Sequence, residues 1–519
     1  MTQCSPRCSF ISLLLGMVVS TLTAIICSAV YYNFDELIQK RLTENIVIKP
    51  GSPSLAIMVD ESKYSYLRVW LFNLTNPLEV EKSAKPKLKT VGPYVYRKYS
   101  IFSDKLWSAD GRHTTFTYTE KNVFVFDPKL SVGNPEKDTI IAAKIPDFTA
   151  VALGKDFLRF SKVRKIMKHF VQPLFKTTVQ KYLWGYDDKL LKVCNRFAED
   201  ICNSTKVGLF SAKNNSIADP VTIVTGVDDI SRLGHILSIK NQSLLDIWAG
   251  HYANMINGTT NAFTPPNVQL GTSRFMYSTS VCRSFNFTIR KKVGATNFQE
   301  MELYELGPIA ETFHSAQDHP SNADFHVNET LGPKNPPSGV FDLSNCLFKK
   351  KRRVPIFFSL PYFHKAALEV RNKVDFVGEP QQDLEFTFNI EPKSGIILEG
   401  YKHFQLNLFA WGNQVHRGGF YQFPEDIFYP AGRFLEDKVA NREIVEALHF
   451  KLYRLPSILR ILLITLISMA LILLLFIFVY FLILVAKMDF SLSTLVYRMR
   501  NNLYKQEDPP EKSPTEFII

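Results

Sequence analysis

Residues Ile461 to Ala486 read ILLITLISMALILLLFIFVYFLILVA, a run without a single charge. Thr465 and Ser468 are its clearly polar members, and a hydroxyl in a helix can bond back to a carbonyl one turn earlier. As a helix the run rises roughly 39 Å at about 1.5 Å per residue, enough to cross a hydrocarbon core about 30 Å thick with some tilt. Arg460 and Lys487 stand at its two ends, and Tyr480 with Phe481 lies towards the tail side. An uninterrupted apolar run of this length argues against a buried core helix and predicts a membrane span.

A second apolar run, FISLLLGMVVSTLTAIICSAVYY, extends from Phe10 to Tyr32. A secretory signal peptide is the competing reading, because Arg7 precedes it and the small residues from Ala24 to Ala29 offer a cleavage site. The run is longer than the apolar region of a signal and ends on the interfacial aromatics Tyr31 and Tyr32, which favours an uncleaved anchor. Lys487, Arg498, Arg500 and Lys505 follow the second span and Arg7 precedes the first, so the positive-inside rule puts both ends in the cytoplasm. The expected organisation is a cytoplasmic tail over residues 1–9, a span over 10–32, an extracytoplasmic domain over 33–459, a span over 460–486 and a second cytoplasmic tail over 487–519.

The middle segment carries N-x-S/T acceptors at Asn73, Asn203, Asn214, Asn241, Asn257, Asn286 and Asn328, and neither end carries one. Its four cysteines, Cys194, Cys202, Cys282 and Cys346, form an even set in a disulfide-permissive compartment. Three pairings are open to them, and spacing favours Cys194–Cys202 with Cys282–Cys346. Cys4 and Cys8 lie just outside the first span on the cytoplasmic side, where they are candidate S-palmitoylation sites or plain reduced thiols.

Catalytic signatures are missing: there is no H-E-x-x-H, G-x-S-x-G, P-loop or C-x-x-C. His235, His251, His314, His319 and His326 are scattered without ligand spacing, so neither a metal nor another cofactor is expected. The adjacent carboxylates at Asp187–Asp188 and Asp228–Asp229 do not make an acid–base pair by adjacency alone. Lysine and arginine exceed acidic residues by 12, which makes the protein basic. For a translocated domain that excess excludes nucleic acid and points to anionic lipid, lipoprotein or another polyanion. KKKRR at Lys349–Arg353 is then a solvated loop or a processing site rather than a nuclear address.

In chain order, Phe34–Glu44 reads as a short helix, and LAIMVD at Leu55–Asp60 with YSYLRVWLF at Tyr64–Phe72 as strands. NLTNP at Asn73–Pro77 ends the second of these. Strands surround Val91–Arg97 and Thr114–Pro128. From Lys155 to Lys181 the spacing of Phe157, Phe160, Val163, Ile166, Met167 and Phe170 predicts helix, interleaved with basic residues. Strand signals return after Pro355: Leu384, Phe386, Phe388 and Ile390 alternate with polar residues, and Gly395–Trp411 continues the pattern. Lys438–Leu452 reads as helix leading into the second span. Many strands with a helical insertion predict an α+β ectodomain on an antiparallel, barrel-like sheet.

LFNLTNPLEV at Leu71–Val80 and VGPYVYR at Val91–Arg97, with the two-span layout, resemble the class B scavenger receptor family. LWGY at Leu183–Tyr186, MINGT at Met255–Thr259, VCRSFNF at Val281–Phe287, VPIFFSLPYF at Val354–Phe363 and IEPKSG at Ile390–Gly395 fit the same family in order. The resemblance implies a helical apex far from the membrane, where basic residues take up lipids or modified lipoproteins, and an internal apolar tunnel leading towards the bilayer. It implies ligand contact by Arg164, Lys165, Lys168 and Lys176, with Lys168 at a lipid-engaging position of the relatives. The Cys282–Cys346 pairing matches the family pattern, whereas Cys194–Cys202 does not. Tyr252–Met255 and Ala310–Gly339 lack cysteines that relatives carry. The function so implied is a cell-surface receptor for fatty acids, sterols, phospholipids or lipoproteins, with homo-oligomers left open. The alternative is a trafficking or adhesion receptor for a protein ligand, in the lysosomal membrane.

Overall fold

The computed structural model describes residues 6–157, 172–197, 204–260, 262–328, 330–347, 354–378, 384–412 and 423–505. The chain divides into two compact units, Met1–Arg41 with His449–Ile519, and Leu42–Leu448.

The first unit contains two helices long and apolar enough to cross a membrane. One is Pro6–Tyr32. The other is Leu455–Lys505, which continues past the expected span end at Ala486 into the tail. They touch where side chains are small: Ser20 and Ala470 are buried on otherwise exposed helices, and a Cβ on Gly16 would lie 3.2 Å from Ile477 Cδ1. Small residues let helix backbones approach where lipid offers no hydrophobic drive. Asp35 accepts from the Arg460 guanidinium, which also lies 5.3 Å from the Phe34 ring centre. With Gly16 beside Ile477 and Asp35 beside Arg460, the helices run antiparallel.

The second unit is built on a fourteen-stranded, largely antiparallel near-barrel sheet. From edge to edge its main path runs through the strands Ser273–Ser278, Arg283–Ala295, Phe298–Pro308, Thr387–Ile390, Ile397–Ala410, Ile427–Val439, Tyr64–Leu74, Lys87–Trp107, Thr115–Phe126, Val221–Val224 and Ile236–Ile239. Strands far apart in sequence meet at its centre, where Val69 lies opposite Phe434 and Phe434 opposite Phe404. Side chains alternate across each strand, so Leu67, Val69 and Leu71 share one face, and all three are buried. Fully burying such a side chain stabilises by about 1.5–3 kcal/mol. Leu384, Phe386, Phe388 and Ile390 are all buried, but the strand covers only Thr387–Ile390 and Glu385 before it is buried as well. Beside the bulge between Val69 and Leu71, Gly92 takes φ +126°, and a Cβ there would lie 2.5 Å from the Val69 carbonyl oxygen.

Three sequence expectations change. LAIMVD is not a strand. Pro53–Met58 is a helix, because the Leu55 N–H donates to Ser52 Oγ (3.2 Å) and proline occupies its first turn. The helix expected from Lys155 to Lys181 is not continuous: helix Ile145–Phe157 covers its start, and residues 158–171 lie outside the described residues. Leu174–Thr178 is a strand paired with Thr139–Ala143, since Pro173 disfavours helix before it and Thr177 with Thr178 favour an extended chain. A new helix, Val179–Trp184, starts from the Thr178 cap. Near the second span, the sheet keeps Lys438 and Val439, and helix begins at Arg442.

Candidate functional site

Alternation along the central strands gathers aromatic rings on the inner face of the sheet. Phe404 and Phe434, directly opposite one another, stack at 5.0 Å between ring centres. Phe434 also meets Phe210 edge-on at 5.0 Å, and Phe210 lies 6.1 Å from Trp184, which contacts Tyr96 and Phe124. On the other side Phe404 stacks on Phe358 at 6.4 Å, Phe358 meets Phe386 at 6.2 Å, and Phe386 meets Phe285 at 5.6 Å. Phe287 and Phe388 end the series, 5.4 Å apart. Such offset and edge-on pairs each contribute about 0.5–1.5 kcal/mol beyond buried area. The seam is not sealed throughout. Phe434, Phe358 and Phe285 are buried, whereas Phe124, Trp184, Phe210 and Phe404 keep accessible surface. Sequence reading found many of these phenylalanines but not their continuity, because the ring contacts join residues of different elements, up to 224 positions apart for Phe210 and Phe434.

Of the predicted ligand contacts, Arg164, Lys165 and Lys168 lie outside the described residues. Lys176 is exposed, on a strand opposite Ile141 rather than on a helix. At the end of that strand pair, where the Lys144 N–H donates to the Pro173 carbonyl at 2.7 Å, lies a buried charge cluster that the sequence did not signal. Lys144 Nζ is 2.9 Å from Asp147 Oδ2 and 3.0 Å from Asp188 Oδ2, and both carboxylates are almost fully buried. Asp147 Oδ1 accepts from the Gln172 N–H at 2.6 Å, so the cluster ties together the chain on both sides of residues 158–171. Burial pushes the Asp147 carboxyl up to about 6, despite the Lys144 ammonium. Burial would lower Lys144, but Asp147 and Asp188 outweigh it and raise it.

Because folded Asp147 titrates above its ordinary value of 3.8, protonation favours the folded chain. Its contribution to stability therefore grows as pH falls from about 6 towards 3.8 and is lost as pH rises through that window. Wild-type protein should gain melting temperature relative to Asp147→Asn on acidification. A relative loss would mean that the Lys144 pair, not burial, governs the carboxyl.

Cys282 and Cys346 are disulfide-bonded. Cys194 is also disulfide-bonded, and its expected partner Cys202 lies outside the described residues. Of the glycan acceptors, Asn214, Asn241 and Asn328 are exposed, Asn73, Asn257 and Asn286 are half-buried, and Asn203 lies outside the described residues. The Asn73 side-chain carbonyl accepts from the Ile141 N–H at 2.8 Å. Cys4 lies outside the described residues, and the backbone of Cys8 belongs to the helix Pro6–Tyr32. Among the described residues, no group of three or more His, Cys, Asp or Glu is placed to hold a metal ion.

Comparison with known proteins agrees with this architecture. A family model described as the CD36 family matches residues 16–481. Human lysosome membrane protein 2 is 28% identical over 410 residues, 78% of this chain and 81% of that protein. Scavenger receptor class B member 1 of Bos taurus is 26% identical over 427 residues, 82% of this chain and 80% of the relative. Sensory neuron membrane protein 2 of Manduca sexta is 25% identical over 422 residues, 76% and 79% of the two chains. These relatives are named as receptors or membrane proteins rather than as enzymes. With a match across nearly its whole length, an apolar helix towards each end of the chain, an antiparallel sheet unit and the expected bridge, the chain belongs to the CD36 family.

Proposed function

We propose that this protein is a two-span receptor that captures anionic lipids or lipoproteins and passes lipid along the aromatic interior of its sheet towards the membrane. The observation that carries the proposal is the seam of rings from Phe124 to Phe388, part of which keeps accessible surface. The antiparallel apolar helices support a hairpin topology with both ends cytoplasmic, residues 33–459 outside, and glycans on that domain. Capture is electrostatic: Arg164, Lys165, Lys168 and Lys176 raise the local concentration of an anionic particle. An acyl chain then leaves water for the aromatic interior at about 0.8 kcal/mol per buried methylene. Passage needs no bond to form or break, only comparable binding along the way. In this reading the protein acts at the cell surface.

A second reading rests on the likeness to lysosome membrane protein 2 and on the elevated titration of Asp147. It makes the protein a trafficking receptor of an acidic compartment, with a protein ligand at the same basic surface.

The test compares cells matched for surface expression, presented with vesicles of oxidised phosphatidylcholine. Changing Arg164, Lys165, Lys168 and Lys176 to Glu should slow association about tenfold or more, with little change in dissociation. Raising salt should weaken wild-type capture, because the screening length falls from about 10 Å at 0.1 M to about 3 Å at 1 M. Equal association rates with equal salt sensitivity would place capture elsewhere. Saturable binding of a protein without lipid uptake would favour the second reading.

A further inference from the structure

The helix Leu455–Lys505 outlasts the apolar run that it carries. The run ends at Ala486, and residues 487–505 continue the helix for about 28 Å at about 1.5 Å per residue. Beyond Ala486 apolar residues no longer surround the helix. Leu492, Leu495, Val496 and Met499 recur at three- and four-residue spacing, and Leu503 continues the series. That spacing puts them on one face, with Thr494, Arg498 and Asn501 turned the other way and Arg500 at the margin. Leu492, Leu495, Val496 and Met499 keep 67%, 52%, 58% and 57% of their surface, as open as Leu475 (62%) and Leu482 (50%) in the apolar run, where lipid is the solvent.

The same stretch is basic. Lys487, Arg498, Arg500 and Lys505 stand against the single acid Asp489, and Glu507, Asp508, Glu511 and Glu516 come only beyond Lys505. Arg498 and Arg500 are exposed. A second copy of the helix or the bilayer surface could cover an apolar face of this kind. A coiled-coil seam is a narrow stripe sustained over about three or four heptads. Here Val496 widens the stripe, and helix Leu455–Lys505 ends within about three heptads of Ala486. A broad apolar face, flanking cations and direct continuity with a span fit the bilayer instead. The cytoplasmic leaflet carries the anionic lipids that attract cations placed next to a span.

We infer that residues 488–503 fold onto the cytoplasmic leaflet as an amphipathic helix, with Leu492, Leu495, Val496 and Met499 among the acyl chains and Arg498 and Arg500 on anionic headgroups. The inference rests on the hairpin topology proposed above, which puts this helix on the cytoplasmic side. The turn away from the direction of the span falls between Ala486 and Leu492, where Asp489 and Ser491 are weak helix formers.

The test uses full-length protein with Cys4, Cys8 and Cys27 changed to serine and a nitroxide attached at Met499→Cys or Thr494→Cys. The protein is held in phosphatidylcholine nanodiscs with or without phosphatidylserine. Collision with oxygen, which concentrates in lipid, is compared with collision with an aqueous nickel chelate. With phosphatidylserine present, the label at 499 should lie among acyl chains and the label at 494 in water. Arg498→Gln with Arg500→Gln should lower the ratio of embedded to free label about fivefold for each charge removed. Leu495→Glu with Val496→Glu should return the label at 499 to water. A label at 499 that lies in water without those changes overturns the docking. Shielding from both reagents with nitroxide–nitroxide coupling makes a second copy the partner, and also overturns it. Equal embedding in the two lipid mixtures overturns the anionic leaflet as the partner. Nanodiscs present both faces, so none of these outcomes depends on sidedness. Staining of a C-terminal epitope on intact cells overturns the topology instead, and with it the cytoplasmic placement.

Discussion

Replacing Cys282 and Cys346 together by serine is expected to destabilise the sheet unit by about 4 kcal/mol, because the bridge closes a loop with a sequence separation of 64. That loss is a large part of the roughly 5–15 kcal/mol by which folded domains are stable. The bridge also fixes a packed corner. Trp248 Nε1–H donates to the Cys282 carbonyl at 2.8 Å, and Asn345 Nδ2–H donates to the Ile247 carbonyl at 3.1 Å. Beside the bridge, Arg283 is buried with its guanidinium 3.7 Å from the Phe325 ring centre and 4.5 Å from that of Phe341. Its Nη2–H groups donate to the Thr312 carbonyl and Asn322 Oδ1, so a loosened corner would leave a buried cation unsatisfied. The double variant should melt lower and keep its immature glycans. Wild-type melting with mature glycans would show that packing alone holds the corner.

Gly258→Ala should be comparably damaging. Gly258 takes φ +104°, and a Cβ there would lie 2.1 Å from the Phe275 carbonyl oxygen and 2.3 Å from its carbon. Those are backbone atoms of a paired strand, which cannot swing aside as a flexible side chain would. The Thr259 N–H donates to that same carbonyl at 3.1 Å, and the Ile236 N–H donates to the Gly258 carbonyl at 3.0 Å. Relief of the clash therefore breaks two strand connections, and strain and lost bonds together should amount to about 3 kcal/mol or more. Alanine leaves the Asn257–Thr259 acceptor triplet intact, so glycan addition at Asn257 is unaffected in kind. The measurement is thermal melting of the purified variant. A melting temperature equal to wild type would show that the turn re-forms another way.

Local chemistry made much of the fold legible. Both apolar helices, the strand Tyr64–Leu74, the buried alternation of the strand Thr387–Ile390 and the bridge partners Cys282 and Cys346 were readable from hydropathy, periodicity and spacing. Pro53–Met58 was misread because LAIM suits a strand until the Ser52 cap is seen at work. Lys176 was misread because a basic, apolar-spaced segment hides the pairing of Leu174–Thr178 with Thr139–Ala143. The site was harder still. No local rule pairs Lys98 with Glu436 or stacks Phe358 on Phe404, since those contacts depend on which distant strands become neighbours. Lys144 and Asp147 escaped notice for the same reason, and Asp188 was noted only beside Asp187: each is an ordinary surface residue type until burial and Lys144's two contacts are known.

The conduit is tested most directly by narrowing it while leaving capture alone. Phe210 and Phe404 both keep accessible surface beside buried Phe434, so Phe210→Trp with Phe404→Trp adds bulk where space remains. Full-length protein in proteoliposomes would be given donor vesicles containing labelled palmitate, with vesicle capture and label transfer recorded separately. Expected is wild-type capture by the double variant with transfer reduced at least about tenfold, and a melting temperature near that of wild type. Undiminished transfer through the narrowed interior would contradict passage along the aromatic seam.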